Sequence, residues 1–258
     1  MEGHDALIIT LSVMTPPELE EKLIDAASAA GVPWVMPNSY AMDPEQGEMM
    51  HDIWGSRYEA VRRYIEAKPG MSSLTLVCSS WFEHSLSLKF AYGFDIEKKE
   101  VTLYDDGNTK IDTSTWPQCG LAVAKLFSLP ILLENNDDKI LNIDHFRNGF
   151  VYISSFFVSQ RDMLASMLRV TGTKEADWKI GYENSKTRFE DGRKEVGAGK
   201  ISGHQKLVYS RVFFPDGCGD YEAKLHNGLL GLSKENLDEY TKKAIELVES
   251  GYRNYGNL

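Results

Sequence analysis

The sequence is poor in the features that would place it in several common classes. It has three cysteines, Cys78, Cys119 and Cys218, set far apart. That spacing makes neither a disulfide framework nor a zinc site, and leaves core packing as their role. No apolar run reaches the length of about 18 residues that a membrane-spanning helix needs, and the N-terminus lacks the basic region and cleavage site of a signal peptide. A soluble, cytoplasmic protein with no membrane partner is expected. Lysine and arginine form no block, and the net charge is −10, which speaks against a nucleic-acid surface. The six histidines show no HExxH or other ligand spacing, so no metal is expected. There is no GxSxG elbow for a hydrolase. No internal repeat or low-complexity run appears.

What is present is ordinary for a globular domain: 258 residues, 42% hydrophobic and 11% aromatic, enough for one large domain or a domain with a lobe. "DALIITLS" (Asp5 to Ser12) is apolar in its middle and polar at its end, as a buried parallel strand reads before a helix. "TPPELEEKLIDAASAAG" follows, with a start signal at Thr15 and Leu19, Leu23, Ile24, Ala27 and Ala30 on one face. Gly31 stops it, so this is an amphipathic helix. "VPWVMP" (Val32 to Pro37) is the next strand, and "HDIWGSRYEAVRRYIEAKPG" a second helix. "LTLVCSS" (Leu74 to Ser80) is a third strand. The order strand, helix, strand, helix, strand is that of a parallel sheet with right-handed crossovers.

The second half alternates more. "GFDIEKKEVTLYDDGNTKID" turns at Lys98-Lys99 and at Asp106-Gly107-Asn108, which predicts a hairpin. Asp105 and Asp106 could be read as a carboxylate pair or metal site, but their place before Gly-Asn favours a turn. "TSTWPQCGLAVAKLFSLP" is a helix with Thr113 to Thr115 as its cap. "DKILNID" and "GFVYIS" read as strands, and "VSQRDMLASMLRVTG" as a helix ending at Gly172. "DWKIGYE" is extended. Helices are expected from Ser185 to Val196, Ser202 to Val212 and Lys234 to Ser250.

In open α/β sheets, ligands sit beyond the carboxyl ends of the strands. Those ends are Thr10-Leu11-Ser12, Pro37-Asn38-Ser39-Tyr40 and Cys78-Ser79-Ser80-Trp81-Phe82. A dinucleotide also needs a glycine loop after a strand, because only glycine lets backbone amides approach the pyrophosphate. None follows an early strand. "GAGKISG" (Gly197 to Gly203) follows a charged helical stretch instead and fails the P-loop spacing, so a connection is the simpler reading.

Taken in order, "GHDALIITLS", "VPWVMPNSYAMD", "VRRYIEA", "DDGNTKIDTSTWPQCGLAVAKL", "VSQRDMLASMLRVTG" and "ADWKI" resemble the NmrA-like and isoflavone-reductase-like atypical short-chain dehydrogenases, in their fungal branch. The resemblance covers nearly the whole chain. It implies an N-terminally truncated Rossmann-like parallel sheet, residues 1–92, in an α/β fold. A smaller C-terminal α+β substrate lobe follows over residues 93–258, with 110–145 returning to the sheet. "DALIITLS" would be the family's fourth strand, with the glycine motif and the basic residues that select the 2′-phosphate absent. An apolar strand edge left open in this way predicts a homodimer or a partner chain.

The resemblance also implies NADP(H) as cofactor, with the alternative that this chain binds none, and a small apolar metabolite as substrate. It places Thr10, Leu11, Ser12, Pro37, Asn38, Ser39 and Tyr40 at the cofactor, although an Asn-Ser turn explains the last three equally. It places Ser79, Trp81 and Phe82 at the substrate wall, where plain core is the alternative. The family's reductases carry a catalytic lysine three residues before Val61; Tyr58 stands there and is a candidate proton donor. Glu83 and His84 are further acid–base candidates. His51, beside Asp52, reads as a solvated helix end. Met36, Met42, Met49 and Met50 read as a soft apolar surface that could line a pocket, with packing the commoner role. Three functions stay open: an NAD(P)H-linked oxidoreductase of secondary metabolism, a non-redox cyclase or isomerase in the same cleft, and a non-catalytic binding or regulatory protein.

Overall fold

The computed structural model describes residues 1–12, 15–46, 56–131 and 140–252. The chain forms two compact units, neither of them one continuous stretch. Unit 1 comprises Met1–Cys78, Gly120–Ile153 and Lys224–Leu232; unit 2 comprises Ser79–Cys119, Ser154–Ala223 and Ser233–Leu258.

Unit 1 is built on a parallel sheet of β1 (Ala6–Ile8), β2 (Trp34–Met36), β3 (Ser72–Val77) and β8 (Gly149–Tyr152), in the order β1-β2-β3-β8. Helix α1 (Pro17–Ala29) begins one step later than Thr15 suggests. Pro16 is its N-cap and Pro17 its first residue, where a missing N–H costs nothing. It ends at Gly31, whose φ of 75° lets the chain reverse so that the Val32 amide returns to the Ala27 carbonyl at 3.0 Å. Its inner face, Ile24 and Ala27, packs with Ile9, Val32, Val35, Met71 and Ile65. Ile65 comes from α2 (Ser56–Glu66).

Strands β2 and β3 are buried throughout. The expectation that "DALIITLS" is buried as well is corrected: Ile8 is 42% exposed, and among the described residues β1 pairs only with β2. Its apolar run belongs to an edge, which periodicity does not distinguish from a centre. The expected strand over "DKILNID" is also corrected. Asp138 and Lys139 lie outside the described residues, and Ile143–Phe146 is a 3₁₀ turn. The Ile143 amide bonds the Pro130 carbonyl at 3.1 Å, and Arg147 Nε donates to Asp144 Oδ1 at 2.5 Å, which closes the turn. Met36 and Met42 are buried, which agrees with a packing role and corrects the surface reading; Met49, Met50, His51 and Asp52 lie outside the described residues.

Unit 2 holds two three-stranded sheets. In one, β7 (Lys110–Ser114) lies between β4 (Ser80–Trp81), parallel to it, and β9 (Phe156–Ser159), antiparallel to it. In the other, β6 (Glu100–Tyr104) lies between β10 (Lys179–Glu183), parallel, and β5 (Phe94–Asp95), antiparallel. The turn at Lys98-Lys99 does close a hairpin, with Lys99 at a φ of 52°. The turn at Asp106–Asn108 forms but closes none, because β7 leaves for the other sheet. Asp105 accepts from the Ser185 amide at 3.1 Å and from Asn184 Nδ2 at 2.6 Å. This anchors the start of a later helix and makes no carboxylate pair with Asp106.

The helices follow: α3 (Phe82–Leu86), α4 (Trp116–Phe127), α5 (Gln160–Thr171), α6 (Ser185–Gly197), α7 (Ile201–Val212) and α8 (Leu237–Glu249). Thr115 caps α4 by accepting the Gln118 amide at 3.1 Å, whereas Thr113 and Ser114 finish β7. Helix α5 has the Ser159/Asp162 capping box and Gly172 in the left-handed conformation. "GAGKISG" is the connection between α6 and α7. A Cβ on Gly203 would lie 2.6 Å from the Val196 amide nitrogen, so that glycine serves close helix packing and not a phosphate.

Candidate functional site

In unit 1 the carboxyl ends of the strands are tied together by side chains. The Asn38 carboxamide both accepts from the Leu11 amide and donates to the Leu11 carbonyl, each at 3.1 Å. The Asn38 amide donates to Glu20 Oε1 at 2.8 Å. Thr10 and Ser12 are exposed, Pro37 and Ser39 buried, and Leu11 packs on the core. The structure thus brings Leu11 and Asn38 into contact and commits the Asn38 carboxamide to the backbone. Tyr58 is 8% exposed, on α2, and burial pushes its phenol far above the ordinary range. A phenol so placed is a weak proton donor.

A group the sequence reading did not single out stands on the same side of the sheet. Ala41, in the loop after β2, bridges to Val77 at the end of β3, and Val77 pairs with Tyr152 at the end of β8. Two residues past Ala41 is Asp43, whose side chain has no exposed surface. It accepts from the Glu45 amide at 2.9 Å, from Tyr152 Oη at 3.2 Å and from Lys224 Nζ at 2.7 Å. Three donors on one carboxylate satisfy what burial would otherwise make costly. Burial, followed by the charges of Asp43 and Glu45, drives the Tyr152 phenol far above its usual range. Lys224 Nζ also lies 5.0 Å from the centre of the Tyr152 ring, and its side chain is 41% exposed.

The segment carrying Lys224 is pinned to β8 by two hydrogen bonds of His226, one through its backbone and one through its side chain. The His226 amide donates to the Tyr152 carbonyl at 2.8 Å, and the Tyr152 amide donates to His226 Nδ1 at 3.0 Å. Accepting at Nδ1 puts the proton of neutral His226 on Nε2. Burial lowers its pKa, with His145 adding to the effect.

Unit 2 carries the other candidates. Ser79 is in the left-handed region with a φ of 56°, a bend that moves the chain from β3 to β4. Phe82 is wholly buried and meets Phe156 edge-on, so it is core. Trp81, Trp116 and Tyr252 surround His84, with each ring centre 5.8 Å from the imidazole. His84 Nδ1 is 2.9 Å from Tyr252 Oη. Glu83 Oε1 accepts the Trp116 amide at 2.9 Å, at the start of α4, while its Oε2 is buried with no partner. Burial raises the Glu83 pKa, the two backbone bonds work against it, and Glu235 adds a smaller upward push. Burial lowers His84 to about 4. Adjacent residues are therefore pushed in opposite directions, towards a protonated acid and a neutral imidazole.

The His84 shift has a measurable consequence. A folded state that refuses a proton which the unfolded chain accepts is penalised below the ordinary pKa of 6.5. The stabilisation is complete above pH 6.5 and is lost as pH falls towards about 4, by at most roughly 3 kcal/mol. The melting temperature of the wild type should therefore drop more steeply across that window than that of His84→Gln. Parallel profiles would contradict the burial account.

Among the described residues no cluster of ligating side chains could hold a metal, and no helix is long and apolar enough to cross a membrane. No family model matches the chain. It is 24% identical over 247 residues to the oxidoreductase aprR of Aspergillus flavus, covering 92% of this chain and 76% of that protein. It is 23% identical over 236 residues to the oxidoreductase poxI of Penicillium oxalicum, covering 87% and 69%. An isoflavone reductase structure superposes with a TM-score of 0.67 at 19% identity, over 93% of this chain and 74% of that one. The leucoanthocyanidin reductase–NADPH complex from Vitis vinifera gives 0.67 at 14% identity, over 93% and 78%. This is the NmrA-like, isoflavone-reductase-like fold of the atypical short-chain dehydrogenases. The chain is a distant sequence relative of fungal oxidoreductases.

The leucoanthocyanidin reductase structure holds NADPH. The described turn from β1 into α1 offers Pro16 and Pro17 where amide donors are needed, and Glu18 and Glu20 in the first helical turn. Two missing N–H groups and two carboxylates oppose a phosphate. That turn does not fit the pyrophosphate end of the cofactor.

Proposed function

We propose that the chain is an oxidoreductase of small-molecule, secondary metabolism that takes an apolar metabolite at the carboxyl ends of the unit 1 strands. The observation that carries this reading is the meeting of Tyr152 and Lys224 on Asp43 at those ends, in a fold that named reductases share. In this reading the chain's own residues do three things. Asn38 fixes the spacing of the β1 and β2 ends. Asp43 holds Tyr152 and Lys224 in place. Lys224 presents N–H donors at the rim. NADP(H) is the cofactor class by kinship.

A second reading is a non-redox isomerase or cyclase, which needs a proton delivered and a proton removed. Adjacent Glu83 and His84, with Glu83 Oε2 buried and without a partner, favour it as the acid–base pair. Incubation with conjugated ketones and quinones, with and without NADPH, separates the two. NADPH consumption that depends on the metabolite supports the first, and a metabolite rearranged without NADPH supports the second. If every compound returns unchanged, both lose their ground. The open β1 edge further leads us to propose self-association or a partner strand; a strictly monomeric species in light scattering would argue against it.

A further inference from the structure

We propose that Lys224 is the group that recognises the ligand's carbonyl oxygen. The inference rests on the unit 1 site being the metabolite site. Lys224 is the half-exposed member of a group whose other members are fixed: Asp43 is wholly buried and Tyr152 is 6% exposed. One N–H of the ammonium is spent on Asp43 at 2.7 Å. An ammonium has three, and Asp43 is the acceptor Lys224 uses among the described residues. The side chain is long and would ordinarily be mobile. Here the carboxylate holds its tip while the hydrogen bonds of His226 to Tyr152 hold the segment just beyond its root. The remaining donors are therefore preorganised at the carboxyl ends of β2, β3 and β8, where ligands bind in such sheets.

The local charge decides the class of acceptor. Asp43 cancels Lys224, and Glu45 adds a negative charge whose carboxylate lies 3.5 Å from Tyr152 Oη. A free anion gains little from a cation already paired, and the net charge of −10 opposes it further. A neutral carbonyl oxygen gains a charge-assisted hydrogen bond without that repulsion. The fitting ligand bears a neutral ketone or quinone oxygen, carried on the apolar frame of the proposed function.

The test uses three probes of one shape: acetonaphthone, with a carbonyl; ethylnaphthalene, with none; and naphthoate, with a charge. Binding to the full chain is followed by probe fluorescence. Wild type should prefer acetonaphthone to both others. Lys224→Met should weaken acetonaphthone roughly tenfold and leave ethylnaphthalene unchanged, while Lys224→Arg keeps part of the preference. Lys224→Arg, which keeps a cation on Asp43, should melt with the wild type, and unchanged ethylnaphthalene binding shows that Lys224→Met is folded. Equal losses for acetonaphthone and ethylnaphthalene, no loss for either, or a wild-type preference for naphthoate would overturn the inference and leave the apolar site standing. Failure of ethylnaphthalene and acetonaphthone alike to bind wild type would overturn the site reading as well.

Discussion

Gly93→Ala should cost roughly 2–5 kcal/mol, a large part of the stability of a domain. Gly93 has a φ of 84°, a region that side chains avoid, and a Cβ there would sit 2.2 Å from the Thr102 carbonyl oxygen and 3.2 Å from Gln160 Nε2. Neither neighbour can give way cheaply. The Thr102 amide donates to the Gly93 carbonyl at 2.9 Å across the β5–β6 hairpin. Gln160 is wholly buried, donates to the Tyr92 and Thr102 carbonyls at 2.8 and 2.9 Å, and accepts the Tyr104 amide at 2.6 Å. Moving it would strip partners from several buried groups. Gly217 provides the control: its φ is 80°, and nothing lies within 4 Å of its added Cβ. Gly217→Ala should lose only about 1 kcal/mol, for the backbone conformation alone. Urea unfolding of both variants checks this, and equal midpoints would mean that the close approach has no weight.

Asp43→Asn should cost about 1–3 kcal/mol although it removes no volume. The carboxylate accepts three donors and an amide cannot replace it, because its NH₂ group would face either Tyr152 Oη or Lys224 Nζ. The full penalty of a broken buried ion pair does not apply, since Lys224 is 41% exposed and can turn to water. Lys224→Met leaves the wholly buried Asp43 carboxylate without its cation and should cost a similar amount, whereas Lys224→Arg, which keeps the charge, should cost less than about 1 kcal/mol. A neutral Asp43→Asn, within about 0.5 kcal/mol of wild type, would show that the group is surface decoration.

Much of the sheet could be read from local pattern. The spacing of Leu23, Ile24 and Ala27 gave α1 its buried face, and Ser159, Asp162 and Gly172 marked both ends of α5, because capping chemistry is local. What failed was what depends on distant partners. "DALIITLS" looks central by composition, yet its exposure is set by how many strands flank it. "DKILNID" alternates like a strand, but the Pro130 carbonyl and Arg147 draw part of it into a 3₁₀ turn. The Asp106–Asn108 turn has hairpin chemistry, and only the pairing of β7 with β4 and β9 shows that it closes nothing.

The candidate site divides in the same way. Strand-end positions such as Asn38 were visible because they follow an apolar run. Asp43 stands only a few residues further and could have been noticed as an acid in a strand-end loop. Tyr152 and Lys224 carry no such mark. One ends a strand that joins β3 from a remote part of the chain, and the other is a lone lysine in a polar stretch. Their meeting on Asp43 is a fact of topology.

The measurement that bears most directly on the account is calorimetric titration of the 258-residue chain with NADPH, before and after saturation with acetonaphthone. An oxidoreductase with a carbonyl site at the unit 1 strand ends should give saturable heat with acetonaphthone and with NADPH. No heat from NADPH, before or after acetonaphthone, would contradict the oxidoreductase reading, and no heat from acetonaphthone would contradict the carbonyl site.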